Sequence, residues 1–207
     1  MKHIVITGGD GTGKSTHCKF LQGHLKVPVA ISSPWDALPI ILKVNSNFKF
    51  DSRDGIQLYL SQCSSKSRAF FLYHCVSRAY QACVEKGPQL IISDGYWYKY
   101  AVSEACYGND FDKLVQGAAL FDPPDEVIYL KLDENIALAR KTTISRYERG
   151  GAQEEVDVQA KFLEGQRKMQ FFWNKLIKKD WHVVDANQSL EQVQSEVLQL
   201  VEKILCL

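Results

Sequence analysis

The chain has 207 residues, 45% of them hydrophobic and 24% charged, with a formal net charge of +1. That length supports one well-cored domain and leaves little room for a second. The near-neutral balance excludes a broad electrostatic surface for nucleic acid or anionic lipid, and no apolar run approaches the roughly 20 residues that span a bilayer.

In chain order the first expected element is a strand, His3–Thr7, which carries Ile4, Val5 and Ile6. It begins too early to leave room for a secretory leader. An amphipathic helix follows over Lys14–Leu25, with Cys18, Leu21 and Leu25 on one face. A weaker strand covers Val27–Ser32. Then comes an irregular stretch, Ser33–Phe50, with Pro34 and Pro39. A long helix is expected from about Ser65 to Lys86, ended by Gly87-Pro88. Further strands fall at Leu90–Ser93, Val127–Leu132 and His182–Val184. A helix covers roughly Gln153–Lys178, and the last begins at Ser189 with Gln192 three residues on, a capping-box spacing.

Continuous apolar runs of this length suit strands buried on both faces. Alternating β and α elements then predict an α/β chain with a five-stranded parallel sheet, helices on both faces and right-handed crossovers. No repeat or linker divides residues 1–207, so a single domain is expected. The six cysteines, Cys18, Cys63, Cys75, Cys83, Cys106 and Cys206, form no C-x-x-C pair. Reduced thiols in a cytoplasmic protein are the expectation.

Chemistry concentrates first at Gly8-Gly9-Asp10-Gly11-Thr12-Gly13-Lys14-Ser15, which fits G-x-x-x-x-G-K-[ST]. Glycines let successive N–H groups turn towards phosphate oxygens, and a helix N-terminus adds its positive dipole end. Lys14 supplies a mobile cation and Ser15 a hydroxyl for Mg²⁺. The motif sits between an apolar strand and an amphipathic helix, as that mechanism requires. The predicted fold is therefore the P-loop NTPase fold.

A GTPase would need a later D-x-x-G and an N-K-x-D. Every D-x-x-G here lies inside the loop itself, and Asn174-Lys175 is not followed by the aspartate. A small kinase using ATP and Mg²⁺ remains. Asp94, at the end of its strand, is placed to hold Mg²⁺ or activate an acceptor, or simply to cap the next helix. The segment from Arg140 through Lys141, Arg146 and Arg149 to Gly150-Gly151 reads as a short lid, about residues 141–152. Mobile arginines there would stabilise the transferring phosphoryl group. Tyr96, Trp97, Tyr98 and Tyr100 either wall an acceptor pocket or pack against the sheet, and packing is the commoner use of aromatics.

These residues resemble the thymidylate kinase family of nucleoside monophosphate kinases. Gly9-Asp10-Gly11-Thr12-Gly13-Lys14-Ser15-Thr16 is similar to its DGxGKST loop. Cys75-Val76-Ser77-Arg78 resembles the helix segment whose arginine reads the acceptor base, and Asp94-Gly95-Tyr96 stands where the family has Asp-Arg-Tyr. Ser145-Arg146-Tyr147-Glu148 resembles the lid sequence Asp-Arg-Phe-Glu.

The resemblance implies a donor site at Gly8, Asp10, Gly11, Thr12, Gly13, Lys14, Ser15 and Thr16, flanked by Arg140. It implies catalysis by Lys14, Asp94, Arg146 and Arg149, with Mg²⁺ at Ser15 and Asp94. The acceptor would meet Asp10, Asp36, His74, Arg78, Tyr96 and Lys99. Small-molecule nucleotides would be the partners, and a homodimer through helices is implied.

Two departures bear on the acceptor. Ser32-Ser33-Pro34-Trp35-Asp36 holds no arginine, and Gly95 replaces the arginine of Asp-Arg-Tyr. A buried monophosphate dianion still needs cationic donors. Lys99, Arg53 and Arg68 are the candidate substitutes. Otherwise the acceptor is an unphosphorylated nucleoside or other hydroxyl compound, with Asp36 or Asp94 as base. A degenerate, non-catalytic nucleotide-binding module is the third reading, and the intact Lys14-Ser15 argues against it.

Overall fold

Successive residues of β1 (Lys2–Gly8) point to opposite sides of a sheet, and both sides are dry. Ile4 and Ile6 meet one core, Val5 the other, and all three are fully buried. This two-sided burial is why the strand reads as an unbroken apolar run. The computed structural model describes residues 1–35, 53–144 and 157–207. Within them β2 (Val29–Ser32), β3 (Leu90–Asp94), β4 (Glu126–Lys131) and β5 (His182–Asp185) join β1 in the order β2-β3-β1-β4-β5. Every pairing is parallel. The five-stranded parallel α/β sheet expected from sequence is present.

Helices cover both faces. On one side α1 (Lys14–His24) contributes Cys18 and Leu21, and the C-terminal helix (Leu190–Leu205) contributes Val193, Val197 and Val201, against Ile4, Ile6, Ile92 and Ile128. On the other lie α2 (Arg53–Gln62), α3 (Ser65–Val84), α4 (Tyr96–Cys106) and the helix Val158–Leu176. Their buried contacts include Leu60, Leu72, Val76, Tyr98, Val102, Met169 and Trp173. Two short helices, α5 (Phe111–Gly117) and α6 (Glu134–Ala139), complete the set, so Val158–Leu176 is α7 and Leu190–Leu205 is α8.

Helix ends follow local chemistry. Ser189 and Gln192 form the expected capping box on α8. Helix α3 stops at Val84, two residues short of expectation, because Gly87 turns left-handed and its N–H bonds back to the Val84 carbonyl. Helix α7 starts at Val158, where the Asp157 carboxylate accepts from the Gln159 and Ala160 amides. Asp110 and Asp133 cap α5 and α6 in the same way, a signal that was present in the sequence.

One buried polar cluster ties the start of the sheet together. His3 is 3% exposed, lies 2.9 Å from the Ser93 hydroxyl through Nε2, and packs against Tyr80 and Tyr96. Burial pushes its pKa down to about 4, although Asp125 pulls the other way. The unfolded chain takes up this proton near 6.5 and the folded chain only near 4. Stability is therefore full above pH 6.5 and falls as pH drops towards 4, by up to about 3 kcal/mol. His17 is depressed in the same sense by burial. We predict that the denaturant midpoint falls between pH 7 and 4.5, and that His3→Gln flattens this slope. An equally steep slope in the variant would remove His3 as its source.

Candidate active site

Two neighbouring strands, β1 and β3, end side by side, and each passes into a helix through a glycine. Gly13, at φ 86, precedes α1, and Gly95, at φ 84, precedes α4. Neither helix has a side-chain cap, so their first N–H groups are left without a side-chain partner. The two turns are stitched together. Gly95 N–H donates to the Ile6 carbonyl at 2.8 Å, and the Thr7 hydroxyl donates to the Gly95 carbonyl at 3.2 Å. The start of α1 lines the opening, and a helix N-terminus there suits an anion.

The cleft encloses about 180 Å³ between Lys14, Ser15, Asp94, Asp10, Lys99 and Tyr100, with Pro34 and Trp35 on the β2 side and Lys141 on the other. Lys14 Nζ donates to the Gly9 carbonyl at 2.7 Å, and that carbonyl also accepts from the Thr12 hydroxyl at 3.0 Å. Burial, with the Lys99 ammonium nearby, pulls Lys14 down to about 8, although Asp10 and Asp94 act the other way. The Ser15 hydroxyl donates to an Asp94 carboxylate oxygen. That all-oxygen pair suits a hard divalent cation that keeps most of its own waters, as Mg²⁺ does.

Asp10 faces Lys99 at 2.6 Å. Burial alone would raise the carboxyl's pKa, but the Lys99 and Lys14 ammonium groups hold it well below the usual carboxylate range. Lys99 is correspondingly raised: burial opposes its charge, and Asp10 more than compensates. Both partners are therefore charged across the physiological range.

Of the residues expected at the donor site, Asp10, Gly11, Gly13, Lys14, Ser15 and Thr16 line the cleft. Gly8 and Thr12 stand behind it, Gly8 ending β1 and Thr12 bracing the loop. Arg140 caps α6, donates to the Gln188 carbonyl at 3.1 Å and lies near enough to His17 to lower its pKa.

Three acceptor expectations fall elsewhere. Tyr96 is 1% exposed and turned into the core, its hydroxyl donating to the Asp122 carbonyl. Its φ of 49 is strained for a non-glycine residue, and the packed ring holds that turn in place. His74 and Arg78 lie on other faces of α3. The buried face of that helix includes Arg68, whose Nε donates to both oxygens of the fully buried Glu104 at 2.9 and 3.0 Å. At 3.6 residues per turn, His74 points about 120° and Arg78 about 80° away from Arg68. His74 lines a separate apolar groove with Phe70, Tyr73, Leu114 and Phe121. Arg78 donates to Gln81 and approaches Glu85. Arg68 itself is committed to Glu104 and lies over the Tyr107 ring at 4.2 Å. Arg53 begins α2. Asp36, Arg146 and Arg149 lie outside the described residues.

Trp35 was missed as a cleft residue, having no motif around it. The aromatic run after Asp94 divides by helix phase: Tyr100 faces the cleft, while Tyr98 packs in the core against Trp181. Gln166 of α7 was also missed. It is buried beneath the loop in a small cavity with Gly9, Asp10 and Thr12.

Comparison with known proteins agrees with this geometry. A family model described as Thymidylate kinase matches residues 56–197, more than half of the chain. The chain is 25% identical to a thymidylate kinase of Dictyostelium discoideum, covering 94% of this chain and 82% of that protein. It is also 25% identical to a probable thymidylate kinase 1 of Saccharolobus solfataricus, over 99% of this chain and 98% of the other. A thymidylate kinase of Desulfotalea psychrophila is 23% identical over 99% and 96% of the two chains.

The depressed Lys14 makes a direct prediction. Calorimetric affinity for inorganic tripolyphosphate should hold to about pH 8 and then fall by up to about tenfold per unit, as the ammonium loses its proton. A flat profile from pH 7 to 9.5 would show that Lys14 is not the group that meets the polyphosphate.

Proposed function

The chain belongs to the thymidylate kinase family, and from that premise we propose that it transfers the γ-phosphoryl group of ATP to a pyrimidine nucleoside monophosphate, dTMP above all. As a member of that family it is a nucleotide kinase, a phosphotransferase. The single observation carrying the finer reading is the stitched pair of helix N-termini that sets Lys14, Ser15 and Asp94 around one opening.

Phosphoryl transfer asks the protein mainly for positioning and electrostatic stabilisation. The amides of residues 11–16 would hold the β- and γ-phosphates, and Lys14 would turn from the Gly9 carbonyl to their oxygens. Mg²⁺ held by the Ser15 hydroxyl, with Asp94 behind it, would neutralise charge between the two phosphates. Asp94, at the end of β3 next to β1, would also serve the acceptor side. Arg140 and Lys141 would flank the donor, and Arg146 and Arg149 would act from a lid over about residues 141–152 that closes the site against water. On this reading the enzyme is a single cytoplasmic domain that pairs into a homodimer through its helices.

A coupled ADP-release assay over nucleosides and nucleoside monophosphates tests the acceptor. Turnover is expected with dTMP. Turnover with unphosphorylated acceptors alone would replace the monophosphate by a nucleoside, and nucleotide binding without any turnover would reduce the protein to a binding module. Lys14→Ala should lower kcat by about 10²–10³-fold while leaving the circular dichroism spectrum unchanged. A variant with near-normal kcat would remove Lys14 from the mechanism.

A further inference from the structure

Resting on the reading of this protein as a nucleoside monophosphate kinase, we propose that Lys99 is its specificity-determining cation for the acceptor's 5′-phosphate. Lys99 is held on Asp10, and it passes to the phosphate on binding, along a path opened by the absence of a side chain at Gly95.

The cations lining the cleft among the described residues are Lys14, Lys99 and Lys141. Lys14 belongs to the polyphosphate loop. Lys141 follows α6, which packs against Gly11 through Ala137, so it stands on the β4 side. Lys99 rises from α4 on the β3 side, the same side as Asp94. A group in line with the donor's γ-phosphoryl, beyond the loop, would meet Lys99.

The path of its side chain depends on residue 95. A Cβ built on Gly95 would lie 3.2 Å from Lys99 Cβ and 3.5 Å from its Cδ. The aliphatic stem thus runs across the place a side chain at 95 would need. Gly95 also has a φ of 84, so a larger residue is disfavoured there by backbone and by contact alike. An arginine at 95 and this lysine path compete for one volume. The glycine at 95 and the path of Lys99 are therefore one arrangement.

The stored state is a partly buried ion pair in which the lysine is the more accessible half, at 18% against 8% for Asp10. A phosphate dianion offers more charge and more acceptor oxygens than one carboxylate, so transfer of Lys99 to it is favourable.

The test compares dTMP with thymidine by calorimetry on wild type, Lys99→Met and Lys99→Arg. The double variant Asp10→Asn, Lys99→Met is added so that no orphaned charge stays buried. The wild type should bind dTMP more tightly than thymidine. Both methionine variants should lose at least tenfold of that preference, and the arginine variant should keep most of it. Should wild type phosphorylate dTMP while the methionine variants keep the full preference, Lys99 has no part in it and the functional reading survives. Should wild type bind thymidine but show neither affinity for dTMP nor turnover of it, the monophosphate reading fails first and takes this inference with it.

Discussion

Everything at this site depends on two parallel strands paired in register at one edge of the sheet. Ile6 of β1 pairs with Asp94 of β3. β3 ends there, and β1 runs two residues further, to Gly8, along β4. The turn after β3 is joined to β1 by a main-chain and a threonine hydrogen bond, so the two strand ends are held side by side. The anion-attracting field comes from this arrangement of peptide groups before any charged side chain is counted. Lysines and carboxylates then tune a potential that the sheet has already placed.

Charge in the cleft is arranged in alternation. Asp10 lies within the influence of Lys14, Lys99 and Lys141, and Lys14 within that of Asp10 and Asp94. Each carboxylate keeps neighbouring ammonium groups from repelling one another too strongly. The arrangement leaves Lys14 as the group that burial and like charge weaken most. A loop of this kind is relaxed by an anion rather than strained by it.

The sheet was legible in the sequence because both its faces are buried, so its strands stand out as unbroken apolar runs such as Ile4-Val5-Ile6 and Leu90-Ile91-Ile92. The phosphate loop was legible because its chemistry is local: eight consecutive residues carry the turn, the cation and the hydroxyl. The short helices α5 and α6 were not read, although Asp110 and Asp133 announce them, because each is too short to show a periodic face. His74 and Arg78 lie away from the cleft for a different reason. Motif spacing places a residue along a helix, whereas the rotation of α3 comes from packing its buried side chains, among them Arg68 against Glu104 on α4, a contact between positions 36 apart that no local pattern encodes. Tyr96 was misplaced by a backbone turn, since its positive φ swings the ring inward. Asp36 and the lid arginines lie outside the described residues.

The same Arg68–Glu104 pair restricts how this sequence can change. Replacing one partner alone takes a bidentate, charge-assisted contact out of the interior, a kind of change that costs about 3–5 kcal/mol, while exchanging both for apolar residues of similar bulk is close to neutral. A tolerated change at this contact therefore takes both positions together.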